Sequence, residues 1–346
     1  MEDRNWPSMR PRWARVIIGL TGILCLGALV AVSPGTETSG YAAYATGTPF
    51  HLPLAMKWVP TPTPTPIPLP GPIVFESKRA WNGTNWDIFV MQANGSGETR
   101  VTEHPERDSD ATWSPDYSKI VFASERLGED PPNREIYVMS ADGTNVRRLT
   151  YMAGKDYDPS WSPDGTRIAF LSKRDGDWEI YLMNPDGTGI VNLTHNKYTT
   201  DTDPSWSPDG SRIAFASDRH DPGQNAEIYT MKADGTDVRR LTNTIYPDGD
   251  PSWSWDGTRI AFECYRDHNF EICVMNANGT GGQRITYNEV TDSDPSWQRW
   301  GDQIVFGSYR TGKGDVYVMN SDGTGVARLT DSPSIDGDPC ARPSGP

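Results

Sequence analysis

At 346 residues, with 33 glycines, 29 prolines, 13 tryptophans and 14 tyrosines, the chain has room for one large domain or a few average ones and too many large apolar side chains for a disordered one. Its net charge of −14, from 46 acidic against 32 basic residues, excludes the basic footprint that phosphate-backbone binding requires. Nucleic acid is not an expected partner, and cations or basic protein surfaces suit this charge better.

Residues 1–15 carry four arginines and precede seventeen uncharged residues, Val16 to Val32, which read as a transmembrane anchor or a signal h-region. Arginines before the apolar run and none soon after it place the N-terminus in the cytoplasm and everything later outside. An uncleaved anchor is the preferred reading, because Pro34 follows directly on the candidate Ala31-Val32-Ser33 cleavage site. Cys25 lies inside the run and reads as a buried apolar residue. Residues 33–72 form a linker ending in PTPTPTPIPLPGP, whose alternating prolines favour an extended polyproline stalk. Membrane contact is expected through this N-terminal segment only.

From residue 73 to the C-terminus one pattern recurs six times. The triplet Ile-Val/Ala-Phe begins at Ile73, Ile120, Ile168, Ile213, Ile260 and Ile304, a spacing of 44 to 48 residues that suits one four-stranded propeller blade. Within residues 159–194, PSW opens a first strand, SPDG turns, TRIAFLSKR is a second strand, EIYLMN a third and GIVNLT a fourth. Glycine after the first strand and before the fourth supplies the positive φ of tight hairpins, and Tyr117 in place of the first such glycine predicts strain or a different turn. First-strand tryptophans (Trp113, Trp161, Trp206, Trp253, Trp297) and second-strand phenylalanines supply bulk for blades packed face to face. Arginines on five of the six fourth strands read as edge charges that discourage aggregation. The chain enters at a second strand and ends on Asp338-Pro339-Cys340-Ala341, so the terminal segment is expected to supply the innermost strand of the first blade. The expected fold is all-β: a six-bladed β-propeller of four-stranded antiparallel blades over residues 73–346, preceded by an N-terminal membrane segment. This region holds 27 bases against 43 acids, a net −16.

The run Asp-Pro-Ser-Trp-Ser-Pro-Asp-Gly-Thr-Arg-Ile-Ala-Phe at 158–170, nearly repeated at 203–215 and 250–262, resembles the propeller repeats of the TolB family. That resemblance implies an extracytoplasmic propeller that binds partner proteins, here without the separate N-terminal α/β domain of TolB. Six-bladed relatives also gate prolyl-oligopeptidase-like enzymes and form the body of oligogalacturonate lyases. The peptidase reading lacks a Gly-x-Ser-x-Gly elbow.

An Asp-x-Asp pair precedes each innermost strand: Asp108/Asp110, Asp156/Asp158, Asp201/Asp203, Asp248/Asp250, Asp292/Asp294 and Asp336/Asp338. One reading gathers twelve carboxylates on the rim of the channel, where they would bind Ca²⁺ or a basic partner segment. The other is an Arg-carboxylate lattice joining hairpins, since arginines end all six second strands and acids open all six third strands. His104, His195, His220 and His268 fall in loops of the same face; His104 and His195 could share a metal, but no ligand spacing supports one. No catalytic residue, metal ligand or cofactor is assigned. Cys264 and Cys273 are expected to face each other across a hairpin, with Phe262 opposite Met275 and Arg266 opposite Glu271, and to form a disulfide that leaves out Cys340; reduced, buried cysteines are the alternative. The expected function is a non-catalytic extracytoplasmic scaffold for a protein or peptide with a basic surface. A metal-dependent polysaccharide (uronate) lyase or hydrolase is the alternative, and it should betray itself by singular polar residues at one mouth.

Overall fold

In the computed structural model, which describes residues 71–341 apart from 80–82, 84, 128–132, 153, 224 and 299–301, every strand belongs to one of six four-stranded sheets. The N-terminal basic segment, the apolar run and the linker expected at 1–70 lie outside the described residues. Among the described residues no helix is long and apolar enough to cross a membrane.

Each sheet is a blade whose strands run outward in chain order. Blade 2 comprises Asp108–Trp113, Lys119–Ser124, Glu135–Ser140 and Arg147–Arg148; blade 3, Asp156–Trp161, Ile168–Ser172, Glu179–Met183 and Val191–Asn192. Blade 4 comprises Asp201–Trp206, Arg212–Ser217, Glu227–Lys232 and Arg239–Arg240; blade 5, Asp248–Trp253, Arg259–Arg266, Asn269–Asn276 and Gln283–Arg284. Blade 6 comprises Asp292–Trp297, Gln303–Ser308, Asp315–Asn320 and Ala327–Arg328. Blade 1 joins the two ends of the domain: the terminal strand Asp336–Ala341 pairs antiparallel with Ile73–Ser77, followed by Asp87–Met91 and Thr99–Arg100. The first strands touch one another in sequence around a closed circle, the terminal strand meeting Asp108–Trp113 on one side and Asp292–Trp297 on the other.

The core lies between blades. Alternation along the second strand sends Ile168 and Phe170 toward blade 2, where they meet Val121, Ile136 and Val138, while Ala169 faces blade 4. Trp161 plugs the same joint, and five of the six joints hold such a tryptophan, 1–6% exposed. At the joint between blades 6 and 1 that place falls to Ala341. The glycine before each fourth strand is required twice over. Gly143 has φ 84°, and a Cβ there would lie 2.2 Å from the Val101 carbonyl oxygen of the preceding blade. Tyr117 keeps the turn that its glycine counterparts make: its N–H donates to the Ser114 carbonyl at 3.0 Å, at the cost of a left-handed φ of 58°.

The expected register of the blade 5 hairpin is corrected. Phe262 faces Cys273, Cys264 faces Glu271 and Arg266 faces Asn269. Asp267 and His268, with φ of 51° and 75°, make a two-residue turn whose twist matches the strands, where a four-residue loop was expected. Because the slip is two residues, the cysteines stay on one face as diagonal neighbours, Cα atoms 5.9 Å apart and joined as a disulfide. Half-buried Cys340, packed in the joint between blades 1 and 2, takes no part in it.

Removing residues 336–346 takes away the innermost strand of blade 1 and opens the circle. Thermal unfolding of the truncated protein should fall by roughly 10 °C or more; an unchanged midpoint would reject the closure.

Candidate functional site

The two aspartates of each pair do different things. The first (Asp108, Asp156, Asp201, Asp248, Asp292, Asp336) is at most 1% exposed and is held by the arginine that ends the second strand of its own blade. Arg126 meets both oxygens of Asp108 at 2.9 Å, Arg219 meets Asp201 at 2.8 Å, and Arg79 meets Asp336 at 2.6 Å across the closure. In five blades a serine completes the clamp by accepting from the arginine Nε, at 2.8–2.9 Å. The arginine also lies over two rings, as Arg126 lies over Phe122 and Tyr137. These six carboxylates are structural lattice and do not reach the rim.

A second ladder runs outside the first. The acid that opens each third strand (Asp87, Glu135, Glu179, Glu227, Glu271, Asp315) is at most 3% exposed. In five blades a fourth-strand arginine holds it: Arg100 to Asp87 at 3.0 Å, Arg148 to Glu135 at 2.6 Å, Arg240 to Glu227 and Arg328 to Asp315 at 2.9 Å, and Arg284 to Glu271. The outer arginines are therefore anchors for buried carboxylates, a correction to their reading as edge charges. In blade 3 Asn192 replaces the arginine, and burial pushes Glu179 up to about 7 despite the Thr194 hydroxyl that donates to it. Blade 5 has the matching defect in the inner ladder: Cys264 stands where the serine would be, and burial pushes Asp248 up to about 7 against the pull of Arg266.

The second aspartate of each pair occupies a β-bulge. Asp110, Asp158, Asp203, Asp250, Asp294 and Asp338 all have φ between 44° and 56°, and the register with the second strand slips at each. Aspartate tolerates this left-handed geometry better than most residues, which accounts for its recurrence. The bulge turns its carboxylate toward the joint between blades. There the second strand presents Ala123, Leu171, Ala216 or Gly307 in four blades, but Glu76 in blade 1 and Glu263 in blade 5. Each glutamate accepts the N–H of the next blade's bulge aspartate, Glu76 from Asp110 at 2.6 Å and Glu263 from Asp294 at 2.8 Å.

Two carboxylate trios result: Glu76, Asp110 and Asp338 at one joint, Asp250, Glu263 and Asp294 at another. In each, one oxygen per residue lies within 4.8 Å of the others. Three clustered hard oxygens suit a cation such as Ca²⁺ or the ammonium or guanidinium of a basic side chain. Burial, reinforced by Asp338 and Asp110 and opposed by Arg107, holds Glu76 well above the usual carboxylate range, and Glu76 shares a hydrogen bond with Asp338.

Singular residues surround the first trio. Arg107 lies 3.5 Å from Glu76 and over the Trp86 ring. Arg134, 6% exposed, holds Glu125 at 2.6 Å, approaches Asp110 at 3.9 Å and lies over Tyr157, which packs edge-on against Trp178. Burial pushes the Tyr157 hydroxyl up. No histidine joins either trio. His104 Nδ1 accepts from the Glu106 N–H, His220 bonds the Tyr229 hydroxyl, and His195 and His268 are exposed residues with left-handed φ. Sequence reasoning missed Glu76, Glu263, Arg107 and Arg134. Aligning the six Ile-x-Phe-x segments would have exposed the glutamates, as the two acids in a column of small or apolar residues.

Models of the TolB beta propeller domain match residues 129–199, 152–248 and 243–346, and the chain belongs to this family. No curated protein sequence matches it. Among solved structures, TolB from Acinetobacter baumannii is 22% identical with a TM-score of 0.65, covering 78% of this chain and 66% of that one, just under two thirds of its length. The putative TolB from Agrobacterium tumefaciens is 24% identical with a TM-score of 0.62, covering 78% and 91%. Hydrazine synthase from Kuenenia stuttgartiensis shares the fold at 15% identity, with a TM-score of 0.64 and coverage of 78% and 47%.

A carboxyl whose folded pKa lies above its unfolded value binds more protons folded than unfolded between the two, so its contribution is present at acid pH and lost as pH rises. For Glu179 and Asp248 the window runs from about 4 to about 7. Asn192→Arg restores the missing outer anchor and should raise the melting midpoint at pH 8 by roughly 2–4 °C while changing it little at pH 5. An equal gain at both pH values would refute the electrostatic account.

Proposed function

We propose that this chain is a non-catalytic, extracytoplasmic propeller that receives a basic protein or peptide segment at its carboxylate mouth. The observation that carries the reading is the pair of trios built on Glu76 and Glu263. Twelve of the domain's 43 acids stand buried in the two ladders, whereas these glutamates occur at only two of six equivalent second-strand positions and gather carboxylates at two separate joints. Membership of the TolB propeller family supports a partner-binding role. The disulfide within blade 5 supports an oxidising compartment outside the cytoplasm. Ca²⁺ bound by a trio would compete with the basic segment or bridge to an acidic one.

A metal-dependent uronate lyase or hydrolase is the second reading, favoured by the singular residues around Glu76. Arg107 and Arg134 would neutralise a sugar carboxylate, and a proton held on Glu76 would serve acid chemistry.

Calorimetric titration with a polylysine peptide, with polygalacturonate and with Ca²⁺ separates these. Polylysine is expected to bind, with at least about tenfold loss in the Glu76→Gln/Glu263→Gln variant, which keeps the hydrogen-bond acceptors and removes the charge. Binding of polygalacturonate alone, with release of unsaturated product, would replace the scaffold reading with the lyase.

A further inference from the structure

Blade 5 keeps the arginine–aspartate pair of the inner clamp but lacks the serine and the third-strand ring that support it in the five other blades, and what stands in their place is covalent. Elsewhere the second-strand arginine donates Nε to a serine, bonds the first aspartate and is sandwiched between second- and third-strand rings. In blade 4 these parts are Arg219, Ser217, Asp201, Phe215 and Tyr229. In blade 5 both supporting residues change together: Cys264 stands where Ser217 stands in blade 4, and Cys273 where Tyr229 stands, each facing a phenylalanine or acid at the same register. Arg266 is left with Asp248 at 3.1 Å and the Tyr265 carbonyl at 2.7 Å. The sulfurs that displaced the hydroxyl and the ring are bonded to each other, tying second strand to third. Cys264 is fully buried and Cys273 is 4% exposed, so the bond sits inside the joint with blade 4, beside Ala216 and Ile228.

We propose that the Cys264–Cys273 disulfide takes over in blade 5 the support that a serine and a third-strand ring give the arginine elsewhere, so that the stability of the blade 5 hairpin is conditional on the oxidation of this one pair. Two departures from the repeat that each weaken the non-covalent clamp together supply a bond the clamp cannot. Reduction by a dithiol transfers two electrons and two protons to the bridge: the S–S bond breaks, Cys264 and Cys273 become thiols, and the dithiol closes to its own disulfide. Neither thiol can then restore the lost contacts, since a thiol is a weak donor and acceptor and no ring faces Arg266 from position 273. Burial shields the bridge from reductant until the hairpin opens, so the dependence is set when the chain folds.

The test compares full-length proteins. Peptide mapping without reductant should recover 264 and 273 linked; recovery as free thiols overturns the proposal. Wild type unfolded and refolded in dithiothreitol should melt roughly 4–8 °C below the oxidised protein. Cys264→Ser/Cys273→Tyr rebuilds the neighbours' clamp and should melt within about 2 °C of oxidised wild type, with or without dithiothreitol, whereas Cys264→Ser/Cys273→Ser should melt with the reduced protein. A reduced wild type as stable as the oxidised one, or a Ser/Tyr variant no better than Ser/Ser, overturns the substitution of one clamp for the other. Should the Ser/Tyr variant fail to fold, hydrogen exchange decides on wild type alone. Reduction is expected to release protection in residues 259–276 while the blade 4 hairpin, 212–232, stays protected; loss in both or in neither overturns the proposal.

Discussion

Everything in this propeller hangs on a buried carboxylate at the start of each innermost strand. The inner strand cannot run as a regular partner of the second strand, because a bulge interrupts their register in every blade. The first aspartate, bonded to the arginine at the far end of the second strand, pins the inner strand on the other side of the bulge. A buried ion pair contributes little net stability relative to apolar residues of the same volume, but losing one partner leaves a buried charge at a cost of about 3–5 kcal/mol. The clamp therefore acts on register: any slip of the inner strand strands both a carboxylate and a guanidinium. That penalty offsets six left-handed non-glycine residues, each an unfavourable conformation by itself.

The clamps also decide what the molecule shows to a partner. A net −16 over residues 73–346 suggests a strongly acidic surface. Twelve of those acids, two per blade, are instead buried, all but Glu179 against an arginine. Glu76 and Glu263 are themselves buried, 3% and 0% exposed, and the half-buried Asp338, Asp250 and Asp294 are what the two trios present. Function in a repeat protein of this kind must be sought in departures from the repeat, since whatever recurs six times is already explained by the architecture.

This is also why the fold was more legible than the site. The 44 to 48 residue period, the alternation that sends Phe170 and Ala169 to opposite joints and the orphan first strand at 336–341 are all properties of a single chain read against itself, and they carry the blades and their closure. The cysteine pair was legible as two coincident exceptions in one hairpin, although its register was not. Register depended on Asp267 and His268 both adopting positive φ, a choice that neither residue announces as Asn-Gly would. The partition of arginines between two ladders was hidden for a different reason. Side chains of second and fourth strands both reach acids on the strand between or inside them, and only the pleat says which. Glu76 and Glu263 escaped because a glutamate within Ile-x-Phe-x reads as tolerated variation until its neighbours across the joint are known.

The departures from the repeat are not scattered. The trio of Glu76, Asp110 and Asp338 draws one residue from the first described strand, one from the terminal strand and one from blade 2, so it is assembled only when the ends of the domain have met. The trio of Asp250, Glu263 and Asp294 includes the residue directly before Cys264, in the hairpin held by the disulfide. Each trio thus rests on the one blade where the common means of holding strands together is supplemented or replaced, by pairing of distant termini in blade 1 and by a covalent bond in blade 5. Clustered carboxylates repel one another, and the blade beneath them must resist that repulsion without the tryptophan that Ala341 displaces or the serine that Cys264 displaces. Closure and disulfide supply that resistance from outside the repeat, which ties the integrity of the charged mouth to two events, the meeting of the termini and the oxidation of one pair.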